Sequence, residues 1–291
     1  MQITSTTKLT DAQITTFLAL QRRVHEYDDT HKKIYLSNQF NVEPTMAAFF
    51  IAEEAGEMLG LLMIYADEGP DEAAELSVIV TPERRREGIG TKLIAAAKSE
   101  LAQFNYQQVT YVTERVFLAA HPDFETNWQL TDLTTEFQLS ASAGTNKLYQ
   151  LPNQYQLRLL EEADIAGLVG ASVEAFDSTP EMAARYLRSA LTDPAVDQYV
   201  LVNKNNDVLA STALDVTDVY YFFGLFVKRA FRHQGIGTAL IQGIMAKVTR
   251  AKPLPFQLAV EGENDIAHHL YLHAGMVDET EIVYLKPQDN A

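Results

Sequence analysis

The sequence predicts an α+β fold made of two tandem domains, each a mixed α/β sheet with flanking helices. Three observations carry that expectation. The chain has 291 residues, 47% hydrophobic and 21% charged, the composition of an ordinary globular protein whose length supplies about two cores at roughly 100–200 residues per domain. One short pattern occurs twice, as Arg85-Arg86-Glu87-Gly88-Ile89-Gly90-Thr91 and as Arg232-His233-Gln234-Gly235-Ile236-Gly237-Thr238, with the second copy 147 residues after the first. Each copy follows an apolar, β-branched and aromatic run (Leu76 to Val80; Tyr220 to Val227) and precedes a helix-periodic one (Leu93, Ile94, Ala97, Leu101; Leu240, Ile241, Ile244, Val248).

The elements read in order as follows. Thr10 can cap a helix from Asp11 to about Glu26, with Ile14, Phe17, Leu18 and Val24 on one face. Strands at Ala48 to Glu53 and Met58 to Tyr65 flank a Glu54-Ala55-Gly56-Glu57 turn and form a hairpin. In the second half a strand at Tyr155 to Leu160 leads to a helix from Glu162 to about Phe176, and another helix starts near Thr179-Pro180. Strands at Gln198 to Val202 and Val208 to Val216 form the matching hairpin. After the repeated motif come strands at Gln107 to Val112 and Phe256 to Val260, and there the halves diverge. The second continues as a helix capped by Asn264 and ended by Gly275, whereas Pro122 interrupts the corresponding stretch of the first. Both halves close on a strand, Thr135 to Ser140 and Glu281 to Leu285. The weakly periodic Ser140 to Gln154 marks the boundary, giving domains at 1–145 and 153–291.

Composition narrows the function. With no Cys, thiolate nucleophiles, cysteine-ligated zinc and disulfides are all excluded, in keeping with a reducing cytosol. A formal charge of -16 disfavours nucleic acid and anionic membranes and suits a cationic or amine-bearing partner. The N-terminus lacks a secretory pattern, and the longest apolar runs, Ala47 to Ala52 and Gly60 to Ala66, fall short of the ~20 residues that span a bilayer. A soluble, cytoplasmic monomer or homodimer is expected.

A Gly-x-Gly turn between a strand and a helix lets a phosphate approach bare backbone N–H groups at the positive end of the helix dipole, and a flanking Arg adds a fork of donors. For one copy, a turn that needs Gly only for steric reasons is an equal alternative; two copies in the same context favour phosphate. Neither the nucleoside-triphosphate loop Gly-x-x-x-x-Gly-Lys-Ser/Thr nor a dinucleotide-type Gly-x-Gly-x-x-Gly is present, which leaves the pyrophosphate of another cofactor.

Val80-Thr81-Pro82-Glu83-Arg84-Arg85-Arg86-Glu87-Gly88-Ile89-Gly90 resembles the acetyl-coenzyme A signature of the GNAT N-acyltransferases. Val227 through Gly237 matches it too, with Arg229 in place of the Pro, and Asn264, Ala267, Leu270, Tyr271 and Gly275 match the family's later Asn-to-Gly pattern, with Met276 where Phe is usual. The resemblance covers essentially the whole chain as two copies and is similar in layout to two-domain acetyltransferases such as mycothiol synthase. It implies a mostly antiparallel central sheet in each copy, and transfer of an acetyl group from acetyl-CoA to a primary amine of a small molecule or peptide, by direct attack in a ternary complex. It further implies that pyrophosphate sits on the amides of Arg86 to Thr91 and His233 to Thr238, beside Arg85 and Arg232; that Val80, Phe226 and Val227 line the coenzyme, with a backbone N–H near Phe226 or Val227 polarising the thioester carbonyl; that Asn264 touches the pantetheine or orders the helix start; and that Tyr271 protonates the leaving thiolate.

An amine must lose a proton before it attacks, so a base is needed. Many family members carry a Glu eleven residues before the signature Arg, a position held here by Tyr221. Asp218 and Glu261 are candidates against the plainer reading of solvated loop acids, and Glu75 of the first half lies one residue off the family position. Tyr271 on an amphipathic helix is by base rate more often a core aromatic, but the four matching positions around it at fixed spacing favour the catalytic reading; His268, His269 and His273 lack a third ligand, so no metal is expected. The reading is a catalytic C-terminal half beside an N-terminal half that keeps the coenzyme motif but has a degenerate final helix. The alternative is a non-catalytic acyl-CoA-binding sensor or interaction module.

Overall fold

Local signals fix most element ends in the computed structural model, which describes residues 1–216 and 219–288; the candidate base Asp218 lies outside them. The chain divides into two compact units, Met1–Glu136 with Thr280–Ala291 and Phe137–Glu279. The sequence division at 1–145 and 153–291 is therefore not the same as the spatial one. Strand pairing explains the difference, since the last strand of the chain pairs with a strand of the first half.

The first unit opens with β1 (Gln2–Thr6), an edge strand that periodicity did not signal because it is short, polar and mostly exposed. Helix α1 (Asp11–Asp28) starts in a capping box in which the Thr10 side chain accepts from the Gln13 backbone N–H. Strands β2 (Phe49–Glu54) and β3 (Glu57–Tyr65) join through Ala55 and Gly56, whose φ values of 52° and 83° are those of a type I′ hairpin turn. Next come β4 (Ala74–Val80), α2 (Ile89–Gln103) and β5 (Val109–Glu114). Pro122 then divides the would-be helix into α3 (Arg115–Ala120) and α4 (Phe124–Trp128), followed by β6 (Leu130–Ala141).

The second unit repeats the plan with β7 (Tyr155–Leu159), α5 (Glu162–Phe176), α6 (Pro180–Ser189), β8 (Val196–Asn203), β9 (Val208–Val216), β10 (Tyr220–Val227), α7 (Ile236–Thr249), β11 (Phe256–Glu261) and α8 (Asp265–His273), and the chain ends in β12 (Val277–Pro287). Within the first unit the strand order is β1-β2-β3-β4-β5-β12, and within the second it is β6-β11-β10-β9-β8-β7. The β4–β5 and β10–β11 pairs are parallel, whereas β1–β2, β2–β3, β3–β4, β5–β12, β7–β8, β8–β9 and β9–β10 are antiparallel. This is the α+β class with a mixed sheet and flanking helices.

Each sheet buries both faces. In the first unit Leu62, Ile64 and Leu76 pack with Leu93 and Ala97 of α2, while Phe49, Leu61 and Met63 pack with Phe17 of α1 on the other side. The second unit has Phe222 and Phe256 against Leu240 and Ile244 of α7, and Val200, Val202 and Phe226 against Leu168 and Leu187 of α5 and α6. No helix among the described residues is long and apolar enough to cross a membrane. Phe17 is fully buried, so Phe17→Ala is expected to lower stability by ~3–5 kcal/mol, read as a fall in the urea midpoint by circular dichroism.

Candidate functional site

The two glycine turns have the same backbone. Arg86 and Gly88 have φ of 66° and 78°, and His233 and Gly235 have 58° and 74°. Two left-handed residues one position apart, running into a right-handed helix, turn N–H groups to one side, as in an anion nest. Gly88 and Gly235 are the N-caps of α2 and α7 and supply no side-chain hydrogen bond, so the first-turn N–H groups are left for a ligand. A Cβ at either glycine would meet nothing within 4 Å, so the space over each turn is open. These features fit the pyrophosphate of coenzyme A. Glu87 and Gln234 are exposed beside the turns, and Thr91 and Thr238 lie in the first helical turns.

The signature arginines do something other than reach into that space. Arg85 donates from Nε to the Val80 carbonyl (3.2 Å) and from its two terminal nitrogens to both Asp28 oxygens (2.8 and 2.5 Å). Arg232 repeats this with the Val227 carbonyl (3.0 Å) and Glu174 (3.0 Å). Each guanidinium thus ties its glycine turn to the preceding strand and to the first helix of its half, bracing the turn.

Both turns sit beyond a point where parallel strands part. Pairing of β4 with β5 ends at Ser77–Val112, and that of β10 with β11 at Tyr221–Gln257. What fills the gap differs. In the first unit it is a cavity of about 450 Å³, running from Val80, Arg86, Gly88 and Gly90 past Glu114 to an apolar end at Phe117, Phe124 and Trp128. Glu114, 5% exposed, accepts hydrogen bonds from the backbone N–H groups of His31 (2.8 Å) and Lys32 (3.0 Å). His25 beside it is held below its ordinary range by burial, opposed by the Glu114 charge. At the repeat offset Tyr271 corresponds to Phe124, so this cavity has no phenol there.

In the second unit α8 closes on the turn. Leu270 occupies the space over Gly237, with Val227 alongside. Tyr271 is 7% exposed, and burial, reinforced by Tyr221, raises its phenol well above the usual tyrosine range. Asn264 caps α8 by accepting from the Ala267 N–H (3.1 Å), whereas Glu261 is exposed at the end of β11. His268 stacks on Phe137 at 4.3 Å with Nε2 2.6 Å from Asp278, and no group of three or more His, Asp or Glu among the described residues could hold a metal ion.

The strands ahead of the turns also differ. β4 pairs with β3 without interruption from Gly60–Val80 to Tyr65–Glu75. β10 shifts register against β9 between Phe223 and Phe226, a bulge of one extra residue built on Gly224 at φ 61°. A bulge takes a residue out of the ladder and turns its backbone away from the neighbouring strand. It also accounts for the odd residue between the halves. The parallel pairs Glu75–Thr110 and Tyr221–Gln257 make Glu75 the counterpart of Tyr221, and the antiparallel pairs Tyr65–Glu75 and Asp215–Tyr221 make Tyr65 the counterpart of Asp215. Each sheet therefore carries a carboxylate–phenol pair across the same two strands, with the strands exchanged. Sequence reasoning missed Asp215, although it is the one charged residue of the β9 run Val-Leu-Ala-Ser-Thr-Ala-Leu-Asp-Val.

A model of the Acetyltransferase (GNAT) family matches residues 14–126 and 145–276. No curated protein matches the chain in sequence. Among solved structures, a GCN5-related N-acetyltransferase from Sphaerobacter thermophilus aligns with TM-score 0.74 and 17% identity over 98% of this chain and 94% of its own. A tandem GNAT protein from the clavulanic acid biosynthesis pathway gives 0.67 and 15% over 100% and 99%. A GNAT-family acetyltransferase from Colwellia psychrerythraea gives 0.61 and 12% over 98% and 99%. At these identities the likeness concerns the fold.

Glu75 supplies a test of the first unit's electrostatics. Burial, reinforced by Asp67 and Glu136 and opposed by Lys32, pushes its carboxyl from 4.5 up to about 7. The folded state then keeps a proton that the unfolded chain releases from about pH 4.5 upward, so stability falls as pH rises from there to about 7, by up to ~3 kcal/mol. Urea unfolding between pH 4.5 and 8 is expected to show that slope in the natural protein and to lose it in Glu75→Gln.

Proposed function

From the premise that this chain belongs to the Acetyltransferase (GNAT) family, whose members move an acyl group from acyl-CoA to an amine, we propose that it acetylates a primary amine of a small molecule or peptide by direct attack, and that the second unit does the chemistry. The observation that carries this reading is the coincidence, in the second unit alone, of the glycine turn, a bulge in the strand leading to it and a buried phenol on α8. Acetyl-CoA supplies the activated acyl group as a thioester.

The chain's own residues take the remaining tasks. The N–H groups from His233 to Thr238 hold pyrophosphate on the nest and the α7 dipole. The bulge directs a backbone N–H near Phe226 or Val227 at the thioester carbonyl, where it stabilises the charge that develops on oxygen. Burial keeps Tyr271 protonated at neutral pH, so a proton is in place for the departing thiolate; the thiol is the stronger acid, so the transfer is uphill and is drawn on by the surplus proton that the acylated nitrogen gives up. Asn264 orders the start of the helix that carries Tyr271. The absence of any Cys fits transfer without an acyl-cysteine stage.

A second reading, an acyl-CoA-binding module without catalysis, is favoured for the first unit by its open cavity and by Phe124 in place of the phenol. The two units would then share a ligand and differ in what they do with it.

Tyr271→Phe is expected to lower kcat by ~100-fold with acetyl-CoA affinity little changed, measured by thiol release over a panel of amines; unaltered turnover contradicts the assignment. Asp tolerates left-handed backbone, so Gly88→Asp and Gly235→Asp add a charge over each nest with little strain. In calorimetric titrations with acetyl-CoA each change is expected to abolish binding at its own unit, and binding untouched by both would overturn the phosphate assignment.

A further inference from the structure

We infer that Asp215, Gln198 and Tyr186 form the pocket that takes the acceptor amine in the second unit, and that Asp215 removes its proton. The inference rests on the acyl-transfer reading above and supplies the base that reading lacks. Among the described residues four buried side-chain polar atoms have no hydrogen-bond partner: Tyr186 Oη, Gln198 Oε1, Asp215 Oδ1 and Thr249 Oγ1. An unpaired buried polar atom is costly, so three on one face of one sheet call for a ligand.

Strand register puts Gln198 and Asp215 on one face of the sheet, and α6 lays Tyr186 against it. Tyr220 and Phe222 of β10 point into the core beneath α7, so Tyr221 and Phe223 point to the α5–α6 side. Asp215 is opposite Tyr221, and Ala213 is opposite Phe223. Gln198 on β8 is in turn opposite Ala213, one inward-facing position from Asp215, a diagonal separation of roughly 7–8 Å that lets both side chains reach one small group. Tyr186 on α6 comes down onto the same face, with its ring 6.5 Å from Phe223. Its hydroxyl lies over Gly224, where any Cβ would approach it to 2.5 Å. The Tyr186 hydroxyl thus lies on the same face, beside the bulge.

The polarity of the orphaned atoms names the ligand. Ser211 Oγ donates to the Tyr199 carbonyl (2.9 Å) and so must accept from Gln198 Nε2 (2.7 Å), which leaves Gln198 Oε1 facing the pocket as an acceptor. Asp215 Oδ1 is a second acceptor, and the Tyr186 oxygen can be a third. A primary ammonium brings three N–H donors on one atom, and Tyr221 and Phe223 on the same face of the sheet add aromatic rings, which attract a cation. A carboxylate or phosphate ligand would face the acceptors Gln198 Oε1 and Asp215 Oδ1, with the Tyr186 hydroxyl the one donor among the three.

Burial, reinforced by Asp193, raises the Asp215 carboxyl above its ordinary range, which strengthens it as a proton acceptor. Asp215 takes one proton from the ammonium, leaving a neutral amine. The nitrogen forms a bond to the thioester carbon, the carbon–sulfur bond breaks, and the electron pair leaves on sulfur, which takes the Tyr271 proton. The nitrogen's surplus proton restores Tyr271, and the proton on Asp215 goes to solvent.

The test compares ethylamine, a cation at neutral pH, with 2,2,2-trifluoroethylamine, of nearly the same shape but largely neutral there, as acceptors from acetyl-CoA. Asp215→Asn is expected to slow thiol release to ethylamine by ~100-fold and to leave the fluorinated amine little affected, with Asp215→Glu restoring part of the ethylamine rate. Gln198→Leu is expected to raise the KM for ethylamine with kcat nearly kept. Equal losses on both amines in Asp215→Asn would make the residue merely structural and overturn the proposal, as would no loss on either. If the natural protein releases no thiol with any amine, the acyl-transfer reading itself fails and this assignment falls with it.

Discussion

Each unit is organised around a gap between two parallel strands. A sheet that opens must have its exposed backbone and side chains covered, because unpaired polar groups and empty apolar volume both cost free energy. In each half the gap sits beside a bare helix N-terminus that a ligand can satisfy. The two halves have solved the same problem in different ways. Pro122 shortens the helix that should cover the first gap, and a cavity of about 450 Å³ remains there. A continuous α8 brings Leu270 and Tyr271 over the second.

That divergence extends to the strands. In β10 a single extra residue at Gly224 does two things: it turns the backbone out of the β9 ladder and makes room for the Tyr186 hydroxyl. The uninterrupted β4 does neither. The carboxylate–phenol pair survives in both sheets with its partners exchanged between strands, Tyr65–Glu75 in one and Asp215–Tyr221 in the other. Burial raises both carboxyl groups, so the exchange keeps a proton acceptor on the same face while moving it one strand along.

The sequence made the repeated turns, the helices and the hairpins legible because glycine, capping residues and apolar period are local signals. Helix α5, for example, has the bounds that its pattern implies, Glu162 to Phe176, and β10 runs from Tyr220 to Val227 as read. Long-range pairing was not legible. That β12 completes the sheet beside β5, and that Arg85 spends its fork on Asp28, depend on contacts between residues far apart in the chain. Asp215 escaped notice for the same reason. Its significance comes from the register that sets it opposite Tyr221 and from the missing donor at Oδ1. Only the spacing of Glu75 and Tyr221 from their signature arginines hinted at it, and the bulge explains that one-residue discrepancy.

The central claim is that acetyl transfer takes place in the second unit, with the acceptor nitrogen at Asp215 and the sulfur at Tyr271. A crystal structure of the protein with a bisubstrate analogue, in which an acetyl spacer joins the coenzyme A sulfur to an alkylamine nitrogen, tests it most directly. That nitrogen is expected within hydrogen-bond distance of Asp215 Oδ1 and the sulfur beside Tyr271 Oη. An analogue bound only in the first unit, with its sulfur against Phe124, would contradict it.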